Sequence, residues 1–183
     1  MPAVPLTFDD PRDLAQARAL ALRDDGLDAW LCERARDAAD LARCPTAAIE
    51  IVGRSSGTRR GAAGLTAIPI SAEHAFAAAW AVADHRPHIV ANARQDPGLA
   101  DQSWVRDAGR VTFFAGLPLH DSAGGRLGGL CVLDREPREL TAAQVRELSR
   151  LSKSVVSELC RRRGDAVSGA LGAWFARLPR QAG

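Results

Sequence analysis

The feature that most constrains this chain lies between residues 111 and 141. Two apolar runs, 111–119 and 126–133, flank the turn Asp121-Ser122-Ala123-Gly124-Gly125. Glycine and aspartate tolerate the backbone angles of a tight reversal, so the runs pair as a hairpin. Thr141 and Gln144 follow at once in the Thr-x-x-Gln spacing of a capping box. Behind them Val145, Leu148, Leu151, Val155 and Leu159 form an apolar stripe at helical spacing. A hairpin handed directly to an amphipathic helix requires an antiparallel sheet with a helix packed against one face.

The rest of the chain fits around that unit. Residues 11–22 read as a helix with Pro11 in its first turn, broken by Gly26. Leu27, Trp30, Leu31, Arg34, Ala35, Ala38, Leu41 and Ala42 recur at three- and four-residue spacing, so 27–43 reads as a second helix, ended by Cys44-Pro45. Residues 46–52 alternate and carry β-branched side chains, and 59–66 return as a weaker strand. Pro69 keeps 68–70 extended, and Ser71 caps a short helix over 72–83. A short strand at 88–91 precedes the irregular stretch "NARQDPGLADQSWVRDAGR". Arg161, Arg162 and Arg163 suit the negative end of the last helix, and Gly164 suits its stop. The predicted architecture is α+β. A central antiparallel sheet of five to six strands carries the N- and C-terminal helices on one face and a short helix plus loops on the other.

Several functions are disfavoured by composition. At 183 residues, 46% hydrophobic and 25% charged, the chain has the balance of a folded domain. A net charge of +2, with arginines spread along the chain and no interleaved aromatics, argues against a nucleic-acid partner. No apolar run approaches the roughly 20 residues that span a bilayer, and the N-terminus lacks a secretory pattern, so a cytoplasmic location away from membranes is expected. Cys32, Cys44, Cys131 and Cys160 form no C-x-x-C pair and are expected to be reduced. Cys131 lies inside an apolar strand, where a thiol behaves as a small hydrophobe.

The glycines of "GGRLGG" link strand to strand and lack the lysine and helix of a phosphate loop, so they read as turn and close-packing glycines. His85 and His88 share no helical face, and His74 and His120 stand alone, so no metal set is expected. No nucleophile elbow or catalytic triad is visible. No catalytic residue is assigned.

With these elements placed, the second half resembles a GAF domain, in the bacterial branch found beside histidine kinases and diguanylate cyclases. The resemblance rests on "PHIVANARQDPGLADQSWV" and "FFAGLPLHDSAGGRLGGLCVLDREPRELTAAQVRELSRLSKSVVSEL". It is carried by Asn92-Ala93, Asp96-Pro97, Phe114-Ala115-Gly116, Gly128 to Asp134, and Pro137 to Thr141. It implies a division into an N-terminal helical extension at 1–26, a GAF-like domain at 27–163 and an amphipathic C-terminal tail at 164–183. It also implies a non-catalytic, stand-alone sensory protein that forms a homodimer and binds a small molecule or a signalling partner protein. The alternatives are a dimerisation module without ligand and a redox enzyme like the free methionine sulfoxide reductases. The cysteines do not match the trio of those reductases. Members of the branch carry Gln-Trp-Phe and Phe-Cys where this chain has "RRGAAGLT" and "HAFAAAW", so ligand and cofactor identity are not inherited.

The resemblance places a pocket between the sheet and the segments 72–83 and 92–110. Phe76, Trp80, Trp104 and Phe114 are the candidate walls, with Asn92, Asp96 and Arg110 as polar contacts. The stripe through Leu148, Leu151, Val155 and Leu159 is close to a heptad pattern and offers a dimer contact, with the alternative that it covers its own sheet. In the tail, Leu171, Trp174, Phe175 and Leu178 share one helical face.

Overall fold

The computed structural model describes residues 26–52, 58–65, 78, 86–108 and 111–176. Helix α1 (Gly26–Ala42) leads into β1 (Thr46–Val52) and β2 (Thr58–Ala63). β3 (His88–Val90) follows, then a π-helical turn at Trp104–Ala108, β4 (Phe113–His120), β5 (Arg126–Asp134) and α2 (Ala142–Ala176). The strands form one sheet in the order β2-β1-β5-β4-β3, and every neighbouring pair is antiparallel. The α+β architecture and the central hairpin are as expected, with five strands. The expected helices at 11–22 and 72–83 and the extended 68–70 lie outside the described residues, apart from Ala78, which is helical and buried.

Both helices pack on one face. Leu27, Leu31, Ala35 and Ala38 of α1 and Leu148, Val155 and Leu159 of α2 are buried with Ile49, Ile51, Phe113, Leu117, Leu119, Leu127 and Leu130 of the sheet. The alanines let α1 settle close to β2. A Cβ added at Gly61 would lie 2.2 Å from the backbone carbonyl carbon of Leu31, so the position has room only for glycine. Leu148, Val155 and Leu159 therefore cover the chain's own sheet, while Leu151 packs half-buried at the margin.

Three local devices join hairpin to helix. Gly124, at φ +84°, closes the turn, and Asp121 Oδ1 accepts hydrogen bonds from the backbone N–H groups of Ala123 and Gly125, each at 2.9 Å. At the end of β5 the buried Asp134 accepts from the N–H groups of Arg135 at 2.6 Å and Glu136 at 3.1 Å, while Arg138 donates to its other oxygen. The capping box then forms reciprocally. Gln144 N–H donates to Thr141 Oγ1 at 3.2 Å, and Thr141 N–H donates to Gln144 Oε1 at 2.9 Å.

One expectation is corrected. Gly164 does not stop the last helix, which runs on through Gly164, Gly169 and Gly172 to Ala176. An interior glycine costs only about 1 kcal/mol relative to alanine, so it weakens an established helix without ending it. Arg161 and Arg162 meet Glu158, one turn back, instead of capping terminal carbonyls.

Candidate functional site

The face of the sheet opposite the helices carries a row of small side chains. Directly paired residues of antiparallel strands point to the same side. On the helix side the row Ile49, Leu130 and Leu117 is large, while its neighbour Ala63, Ala47, Val132 and Ala115 is mostly small, where α1 and α2 pack close. On the other face the middle row runs Ala62, Ala48, Cys131, Gly116 and His88 across all five strands. Four small residues thus lie side by side before His88 closes the row. The next row adds Arg60, Glu50, Gly129 and Pro118, and Glu50 is 5% exposed. Little side-chain volume therefore stands on the sheet along the middle row.

A cap lies over this face. It includes Ala78, Ala93, Leu99, Trp104 and Val105, all buried with Ala48, Phe114, Cys131 and Leu133. Asp96 shapes the loop that begins the cap, accepting from the N–H groups of Gly98 at 2.9 Å and Leu99 at 3.1 Å. Asn92 accepts from Arg94 N–H at 3.2 Å, and Ala93 N–H donates to Thr112 O at 2.6 Å, fastening the loop to the sheet. Trp104 sits in the π-helical turn with its ring 5.3 Å from that of Phe114, tilted by 37°. The ring of His88 lies 6.0 Å from Phe114 on its other flank, and His88 Nε2 is 3.6 Å from Asp96 Oδ2.

Of the expected site residues, the structure brings together Trp104 and Phe114 and links Asp96 to them through His88. Asn92 and the Oδ1 atom of Asp96 are engaged with backbone of their own loop. Phe76, Trp80 and Arg110 lie outside the described residues. Sequence reading missed the small-residue row. Its signal was present in the alternation Phe114, Gly116, Pro118 along β4, opposite Leu133, Cys131 and Gly129.

Two features bear on chemistry. Burial pushes the Cys131 thiol far above the usual range, outweighing the opposing hydrogen bond with the Ala48 backbone, so the group is a small hydrophobe and a poor nucleophile. Trp104 is 1% exposed, yet its indole Nε1–H has no hydrogen-bond partner among the described residues. No group of three or more His, Cys, Asp or Glu residues suited to a metal occurs among the described residues.

Two open clefts lie on the helix side instead. One, of about 600 Å³, runs between Leu41 of α1 and Leu151 of α2. The other, of about 770 Å³, lies between α2 and the end of β4. Its Ser149 and Ser152 hydroxyls already donate to helix carbonyls, at 2.7 and 3.0 Å.

Residues 15–159 match the GAF domain family. The chain belongs to that family. It is 30% identical over 160 residues to a cyclic di-GMP phosphodiesterase of Pseudomonas aeruginosa, an alignment that takes in 87% of this chain and 27% of the relative. The GAF chain thus spans about a quarter of that protein's length. A domain of a two-component sensor histidine kinase protein from Sinorhizobium meliloti superposes with a TM-score of 0.59 at 13% identity, over 79% of this chain and 99% of that one. The GAF domain of a phosphoenolpyruvate-protein phosphotransferase from Coxiella burnetii gives the same score at 13% identity, over 85% and 95% of the two chains. At such identities the likeness is one of fold.

Proposed function

We propose that this GAF domain is a sensory module that binds a small molecule between the sheet and its cap, leaves it chemically unchanged, and passes occupancy to α2. The observation that carries this reading is the row of small residues Ala48, Cys131 and Gly116, beside Phe114 on the sheet face that Trp104 and the rest of the cap cover. A domain built only to pair would gain by filling that row with large side chains. The high pKa direction of Cys131 removes the thiolate that a redox enzyme would use there, which supports a binding role over catalysis.

The relay needs two states that the ligand contacts differently. β5 lines the capped face and hands over to α2 within a few residues, through the Asp134 turn, so a shift beneath the cap has a short path to the helix. The same reading includes a homodimer, formed along the helix beyond Leu159, and a cytoplasmic signalling partner. The relative from Pseudomonas aeruginosa suggests that the partner acts in cyclic di-GMP signalling.

Native mass spectrometry of the freshly purified protein tests both claims. The expected result is a dimer that carries a small molecule, released on denaturation. A ligand-free dimer would favour the dimerisation-module reading, and a ligand-free monomer would remove both.

A further inference from the structure

The indole N–H of Trp104 is a buried donor without an acceptor among the described residues, in a ring only 1% exposed. Buried N–H groups are almost always hydrogen-bonded, because an unmet donor forfeits its bond to water with nothing in exchange. Trp104 belongs to the cap layer packed over the sheet face whose middle row is Ala62, Ala48, Cys131 and Gly116. An orphaned donor and a row of small residues are independent observations, and they meet on one face of the sheet.

We propose that Trp104 Nε1–H is the recognition donor of the cap pocket. It selects an uncharged, ring-bearing molecule that presents a neutral acceptor, such as a carbonyl oxygen, to the indole. This rests on the reading of the cap face as a ligand site and adds the chemistry of the ligand. The ring character follows from Trp104 and Phe114, whose tilted rings offer aromatic faces and edges. An anion is disfavoured because the Asp96 carboxylate lies at the edge of this face, beside His88. A cationic group cannot accept from the indole. The π-helical turn that carries Trp104 is a rare backbone form that frequently occurs at functional sites.

The test uses the full chain and three matched probes: acetophenone, ethylbenzene and benzoate. The first two have nearly the same shape and differ in the acceptor oxygen, while benzoate adds a charge. Binding is followed by calorimetry and by the ¹⁵N–¹H cross-peak of the Trp104 indole, assigned by through-bond connectivity to its own backbone and checked by its loss in Trp104→Phe. Acetophenone should bind roughly fivefold more tightly than ethylbenzene or benzoate and shift the Trp104 cross-peak downfield. In Trp104→Phe, which keeps a ring against Phe114, the preference over ethylbenzene should vanish. Equal binding of acetophenone and ethylbenzene with an unmoved cross-peak would overturn the donor role while leaving the pocket intact. Absence of binding by any probe would overturn the pocket reading as well. The cross-peak comparison in the unmodified protein decides the matter even if Trp104→Phe folds poorly.

Discussion

At the scale of single residues, two glycines of the same hairpin have different reasons to be glycine. Gly124 has open space where a Cβ would stand, but its φ of +84° strains an L side chain. Gly128 has the opposite problem, since a Cβ there would lie 2.0 Å from the backbone oxygen of Glu50. Gly124→Ala should cost about 1–2 kcal/mol in urea unfolding. Gly128→Ala should cost more, because two paired strands must separate to admit the methyl group. Cysteine accessibility gives a second expectation. Iodoacetamide should modify the exposed Cys160 in the native protein and reach the buried Cys44 and Cys131 only after unfolding, read by peptide mass spectrometry. Burial pushes the Cys44 thiol up to about 12 and Cys131 in the same direction, so both also lack thiolate at neutral pH.

Glu158 provides a pH-dependent contact. Hydrogen bonds from Arg161 and then Arg162 hold its carboxyl down at about 2, below its ordinary 4.5. A folded-state pKa below the unfolded value stabilises above about pH 4.5, and the contribution fades as pH falls toward 2. The pairs sit near the surface, so the effect is a few tenths of a kcal/mol. Glu158→Gln should lower Tm slightly at pH 7 and leave it unchanged near pH 2.

At the scale of elements, α1 and α2 are pinned to each other as well as to the sheet. Trp30 of α1 lies between two guanidinium groups, Arg34 of its own helix and Arg162 of α2, each 5.7 Å from the ring. Gln144 Nε2 donates to Leu41 O at 3.1 Å and ties the start of α2 to the end of α1. Trp30→Leu should lose about 0.5–1 kcal/mol from the cation–π contact, measured in urea. Val155→Glu should unfold the domain, because Val155 is fully buried in its core. Leu151→Glu, at the half-buried margin, should fold with reduced stability.

At the scale of the whole molecule, the long helix is the feature with the largest consequence. Its 35 residues extend about 52 Å, and Leu159 is the last of its described side chains to join the main core. The continuation carries three glycines, so it would be a weak helix alone and gains from docking. Deleting residues 164–183 should lower Tm and convert dimer to monomer, read by scanning calorimetry and light scattering. Unchanged values of both would make the continuation a connector to something outside this chain.

The hairpin, the capping box and α1 were legible in the sequence because their signals are local. Turn glycines, a Thr-x-x-Gln spacing and three-to-four periodicity act within a few residues and survive whatever packs around them. Gly164 misled because a local helix breaker is a modest penalty that an established helix overrides. The candidate site was legible only in part. Trp104 and Phe114 could be named as walls, but they are ten residues apart in sequence, and their stacking depends on how the cap folds onto β4. The small-residue row draws Ala48, Gly116 and Cys131 from three strands, and only strand order and register set them side by side. Those are long-range choices, made by the packing of α1 and α2 on the opposite face. By itself the sequence determined which elements form and which faces are apolar. The tertiary structure decided which small residues share a row, and which buried donor is left without an acceptor among the described residues.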